Sequence, residues 1–116
     1  MKFDAVDPPR TFRPAGPDGP EIAHVATLEL DVDEQVTVVT SEGRELDVVR
    51  KDWGFYPLPS LNSRLARFGF HPVLAMNAAG SLYLLVVENG KRREFEAYLS
   101  SEKMTIVGWL CNELPA

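Results

Sequence analysis

The chain of 116 residues is long enough for one hydrophobic core and too short for two. Apolar residues make up 45% and charged residues 25%, which excludes global disorder. A formal net charge of −5 argues against a general nucleic-acid binder, which needs a strongly basic surface.

Residues 1–20, "MKFDAVDPPRTFRPAGPDGP", are dense in proline and glycine. Proline lacks an amide donor and glycine costs backbone entropy, so the stretch predicts a flexible N-terminal tail, or a strap held down by Phe3 and Phe12. Residues 21–116 then form one domain. From Ile22 the pattern changes: Ile22, Ala26, Leu28, Leu30 and Val32 fall on alternate positions, the period of a strand with one buried face. After "DVDE", the β-branched runs "QVTVVT" and "ELDVVR" flank "SEG", which predicts a hairpin turning at Gly43.

"SLNSRLARF" places Leu61, Leu65 and Phe68 on one helical stripe, with Pro59 or Ser60 suited to the first turn and Gly69 to the stop. "HPVLAMN" and "SLYLLVVE" read as strands around "AAG". The second is almost wholly apolar, as a central strand covered on both faces would be. "NGKRREFEAYLSSE" predicts a second helix, with Asn89 as N-cap, a buried stripe of Phe95, Tyr98 and Leu99, and an Arg92–Glu96 pair across one turn. "MTIVGWLCN" is the last strand.

The element order is therefore β-β-β-α-β-β-α-β, an α+β fold: an antiparallel sheet with two helices. The order from residue 45 onward is that of a ferredoxin-like core, preceded by an N-terminal strand extension. That arrangement sets "ELDVVR" beside "SLYLLVVE" at the sheet centre. It also gives "ELDVVR" two neighbours, in competition with its hairpin partner "QVTVVT", and the sequence leaves the competition open.

Several chemistries have no motif here. Neither common phosphate-cradling loop occurs, nor a nucleophile elbow. Two histidines, His24 and His71, on different strands and one cysteine, Cys111, make no zinc spacing. No metal and no cofactor is expected. His71 reads as a structural histidine and Cys111 as a packing residue beside Trp109. A lone cysteine forms no internal disulfide, no apolar opening resembles a signal peptide and no apolar run reaches the ~20 residues of a membrane span, so a cytoplasmic location is expected.

The chemistry-bearing stretch is "VVRKDWGFYPLPSLNSRLARFGFHP", residues 48–72. It follows an acidic segment: residues 1–49 hold a net charge of −7 and residues 50–116 a net of +2. Trp53, Phe55 and Tyr56 could each bury about 150–250 Å². At about 25 cal/mol per Å² that is on the order of 4–6 kcal/mol each before entropy is subtracted, so they could simply plug one end of the sheet. The functional reading adds polar tips to that packing: Arg50, Lys51 and Arg64 for ligand charge, Trp53 and Tyr56 as a wall, and Asn62 to orient one polar group. On a continuous helix Asn62 and Arg64 would point roughly 160–200° apart, so both serve one site only if Asn62 precedes the first regular turn.

The stretch has the pattern R-K-x-W-G-[FY]-Y-x-x-P-S-L-N-x-R-L-x-x-F-G-[FL], and it is followed by "VLAMN" and "LYLLVVENGKRREFEAYL". Over residues 48–110 it resembles a family of short, largely uncharacterised bacterial proteins. The resemblance implies an association with surface-polysaccharide gene neighbourhoods and supplies no catalytic residues. Together these readings point to a small accessory protein that binds an anionic or sugar-derived metabolite, or a partner protein, at the 50–67 surface. The alternatives are a cofactor-independent isomerase or transferase with Tyr56 or His71 as acid or base, and a structural module that dimerises through a strand edge. No nucleic-acid or membrane partner is expected.

Overall fold

A computed structural model describes residues 1–111; the last five residues of the expected domain, and with them Asn112 of the expected last strand, lie outside the described residues. The elements run β1 (Lys2–Phe12), β2 (Ile22–Glu29), β3 (Gln35–Val39), β4 (Glu45–Lys51), β5 (Gly54–Tyr56), α1 (Arg64–Arg67), β6 (Phe70–Met76), β7 (Leu82–Glu88), α2 (Arg92–Glu102) and β8 (Thr105–Trp109). The fold is α+β, with strands in three sheets of order β1-β2, β3-β4-β5 and β7-β6-β8. The chain divides into two compact units, Met1–Gln35 with Val49–Phe55, and Val36–Val48 with Tyr56–Ala116. The division does not fall between residues 20 and 21.

In the first unit β1 and β2 pair antiparallel, from Lys2↔Glu29 to Phe12↔Ile22, with a shift of register between Ala5 and Arg10. The expectation of irregular structure over residues 1–20 is corrected: eleven of these residues form β1. "DPP" sits where the register shifts, which is where a strand tolerates residues lacking an N–H. The proline- and glycine-rich stretch that follows is the connection. Arg13 braces it, donating to the Gly19 carbonyl at 2.6 Å and pairing with Glu21 at 3.0 Å.

The second unit holds the buried hydrophobic core among the described residues: Leu65, Phe70, Val73, Ala75, Val87 and Leu99. The β3–β4 turn forms as expected at Gly43, whose φ of 86° suits glycine, with the Thr40 amide donating to the Arg44 carbonyl at 2.9 Å. The β6–β7 turn is held by Asn77, whose Oδ1 accepts from the amides of Ala79 and Ser81.

The sheet order departs from the ferredoxin-like expectation. β6, not β7, is central, paired with β7 on one side and β8 on the other, while β4 belongs to the β3-β4-β5 sheet. The hairpin partner wins the competition for "ELDVVR", because a tight turn brings β3 and β4 together at little loop-closure cost. Pro72 is fully buried within the central strand. In an extended residue N and O point to the same side, and the Pro72 carbonyl accepts from Leu110. The missing N–H thus lies on the β8 side, just past the Val73↔Trp109 pair that ends the pairing.

The helices are shorter than their patterns. α1 spans four residues, with Leu65 buried, and the chain leaves it at Gly69, φ 87°. Ser60 acts one turn early: its Oγ accepts from the Arg64 amide at 2.9 Å and its carbonyl accepts from the Leu65 amide. α2 starts after Lys91, so Asn89 is not its N-cap; the Asn89 amide instead donates to the Gly69 carbonyl at 2.7 Å. Leu99 is buried and Phe95 meets Trp109 edge-on at 5.9 Å between centroids, while Tyr98 is exposed. The Arg92–Glu96 pair forms at 2.9 Å.

Candidate functional site

Strands β4 and β5 are joined by Asp52 and Trp53 alone. A two-residue connection needs unusual backbone angles, and Gly54 supplies one with φ 147°. The Trp53 side chain at this tip is 69% exposed and Phe55 56% exposed. The plug reading of these aromatics is corrected: they lie at a tip, where the chain offers too little neighbouring mass to cover them.

Arg50 braces the tip from below. Its Nη1 donates to the Gly54 carbonyl at 3.0 Å and its guanidinium lies 5.5 Å from the Phe55 ring centroid. The Arg50 backbone pairs with the preceding acidic turn: the Asp33 amide donates to the Arg50 carbonyl, and the Arg50 amide to the Glu34 carbonyl. Lys51 pairs with Asp33, and the hydrogen bond from Lys51 to that carboxylate raises the ammonium pKa above its ordinary value. Glu34 accepts from the Asp31 amide at 2.8 Å, which lowers its carboxyl pKa. The Met1 amine lies 3.2 Å from Glu34.

Arg50, Lys51 and Trp53 thus belong to the first unit, and Tyr56, Asn62 and Arg64 to the second. Tyr56 and Asn62 are exposed. Asn62 lies in the turn before α1, as sharing a site with Arg64 requires. Arg64 has a structural partner. Its Nη2 lies 3.3 Å from Asp47, which is buried and also accepts from the Thr37 hydroxyl at 2.7 Å. Its guanidinium is 5.2 Å from the Phe68 ring centroid.

The sequence reading missed the carboxylates that take up these cations, Asp33 and Asp47. An acid inside the β-branched run "ELDVVR" was the available signal, since a carboxylate there needs a partner. It also passed over Arg44, which pairs with Glu88 at 2.9 Å and crosses directly over Gly69.

Among the described residues, cavities of the second unit include the following three. One of about 410 Å³ is lined by Glu42, Gly43, Arg44, Glu45, Arg67 and Phe68. One of about 400 Å³ lies between β7 and α2, along Leu85, Val87, Phe95 and Tyr98. A third of about 260 Å³ is mostly apolar, between Val38, Leu46, Phe70 and Val86. None of the six expected site residues lines any of them. His71, an acid–base candidate in the enzyme alternative, is only 6% exposed within β6. Among the described residues no cluster of three or more potential metal ligands occurs, and no helix is long and apolar enough to cross a membrane. Comparison with protein-family models, with curated proteins and with solved structures finds no match.

Proposed function

We propose that this chain is a binding module whose contact element is the β4–β5 tip, and that its partner is a protein. The observation that carries the reading is the exposure of Trp53 at the end of a two-residue turn. Small-molecule sites are concave and enclose most of their ligand, whereas a projecting tryptophan suits a pocket on a macromolecule. Trp53 and Phe55 make the contact. Arg50 serves it by holding the tip, and Lys51 by neutralising the acidic turn beside it. The family resemblance over residues 48–110 fits an accessory role in this sense.

A photo-crosslinking residue at position 53, in cells of the source organism, tests this. A discrete protein adduct at position 53, missing when the same residue replaces the exposed Val25, is the expected result. Equal labelling from both positions refutes it. Trp53→Ala removes the partner in co-purification while leaving the circular-dichroism melt unchanged.

The cavity beside α1 favours a second reading, an anionic or sugar-derived metabolite. Arg44 and Arg67 offer donors there, Glu42 and Glu45 offer acceptors for hydroxyl groups, and Phe68 offers an aromatic surface. Under this reading a panel of sugar phosphates raises the melting temperature, and Arg67→Ala cancels the rise while Trp53→Ala does not.

A further inference from the structure

The β7-β6-β8 sheet is covered on one face by α2 and left partly open on the other. Directly paired residues share a face, so Ala75 with Tyr83, and Val73 with Leu85 and Trp109, look one way. On that face Val73 and Ala75 are fully buried and Trp109 meets Phe95 of α2. The pairs Met76↔Leu82 and Leu74↔Leu84 look the other way, where Leu82 is 59% exposed and Leu84 50%.

β7 is also an edge strand. From Leu82 to Val87 it contains no charge and no proline, and its register with β6 is unbroken. Charges, prolines and bulges are among the devices that stop an edge from pairing, and residues 82–87 have none of the three. The opposite edge differs. β8 pairs with β6 through a register shift between Leu74 and Ala75, and such a bulge spoils a strand as a template.

We infer that β7 pairs antiparallel with β7 of a second copy of this chain. Two copies with a net charge of −5 each repel over most approaches, but the 82–87 strip is neutral. A two-fold axis at Leu84 sets Leu82 against Val86 of the second copy and Tyr83 against its Leu85, and leaves the two Glu88 carboxylates at opposite ends, so no like charges meet. The strip is self-complementary, which a two-fold dimer needs. Its area is modest: Met76, Leu82, Leu84 and their surroundings offer roughly 400 Å² per copy against ~800 Å² in a standard interface, so the dimer is weak and concentration-dependent.

Light scattering on the full chain over a dilution series tests this, with hydrogen exchange as a second readout. The mass rises with concentration from 12.9 kDa toward twice that value and stops there. Leu84→Lys weakens dimerisation by at least about tenfold, and Leu82→Lys, at the more exposed position, does the same; both keep the monomer's circular-dichroism spectrum. Trp53→Ala leaves the dimer intact, which separates this interface from the β4–β5 tip. Amides of residues 82–87 gain protection as the dimer forms, and those of β8 do not. A monomer at all concentrations, growth past two copies, a dimer that both lysine variants leave intact, or protection gained on β8 each overturns the inference.

Discussion

Asp47 holds Thr37 and Arg64 at once from a buried position, so the two sides of its ion pair are unequal. Removing Arg64, half exposed, leaves a buried carboxylate with one hydroxyl donor. We expect Arg64→Ala to lower unfolding free energy by about 1–3 kcal/mol in urea denaturation, well above the roughly 0–1 kcal/mol of an exposed pair. A loss typical of a surface charge would show that Asp47 is satisfied without Arg64. Gly69 carries a second residue-scale constraint. Its φ is positive, and a Cβ there would stand 1.9 Å from Arg44 Nη1, whose guanidinium is committed to Glu88. Gly69→Ala should therefore cost about 1–3 kcal/mol from the backbone alone, and more through the displaced arginine. Gly43→Ala, equally left-handed but with open space around it, should cost only the backbone part.

At the scale of the element, the acidic turn 31–34 gathers Lys51, the Met1 amine and the Arg50 backbone. The two titrations work at opposite ends of the pH range. The lowered Glu34 pKa means its contribution is complete above the ordinary 4.5 and is lost as pH falls through the lowered value. The raised Lys51 pKa means its contribution is complete below the ordinary 10.5 and is lost as pH rises through the raised value. Lys51→Met should remove part of the alkaline fall in stability and leave the acid limb alone; an unchanged alkaline limb would contradict the Asp33 pairing. Single elements were the most legible part of the sequence. The β3–β4 turn at Gly43, the buried Leu65 of α1 and the Arg92–Glu96 pair depend on residues a few positions apart, whereas the Leu61–Leu65–Phe68 stripe does not form, because the helix holds only Leu65 of the three. The place of a strand within a sheet does not depend on such near neighbours alone. "SLYLLVVE" is more apolar than "FHPVLAM", yet the latter is central, because burial is set by which distant segments pack on a strand. The candidate site was misread for the same reason: Arg50, Lys51 and Arg64 are visible as cations, but Asp33 and Asp47, which engage two of them, are not adjacent in sequence.

For the whole molecule, the buried hydrophobic core among the described residues belongs to the second unit. Leu65→Ala there should cost about 2–5 kcal/mol, whereas Val25→Ala on exposed β2 should stay within about 0.5 kcal/mol. Denaturant melts of the two variants check the contrast. The central place of β6 has a consequence for biosynthesis. Its hairpin with β7 closes over a short turn, so that half of the sheet is available as soon as residue 88 has left the ribosome. The other flank of β6 waits for β8, translated after the whole of α2. Until then the β6 backbone on that flank lies unpaired, and chaperones, rather than β8, must cover that edge.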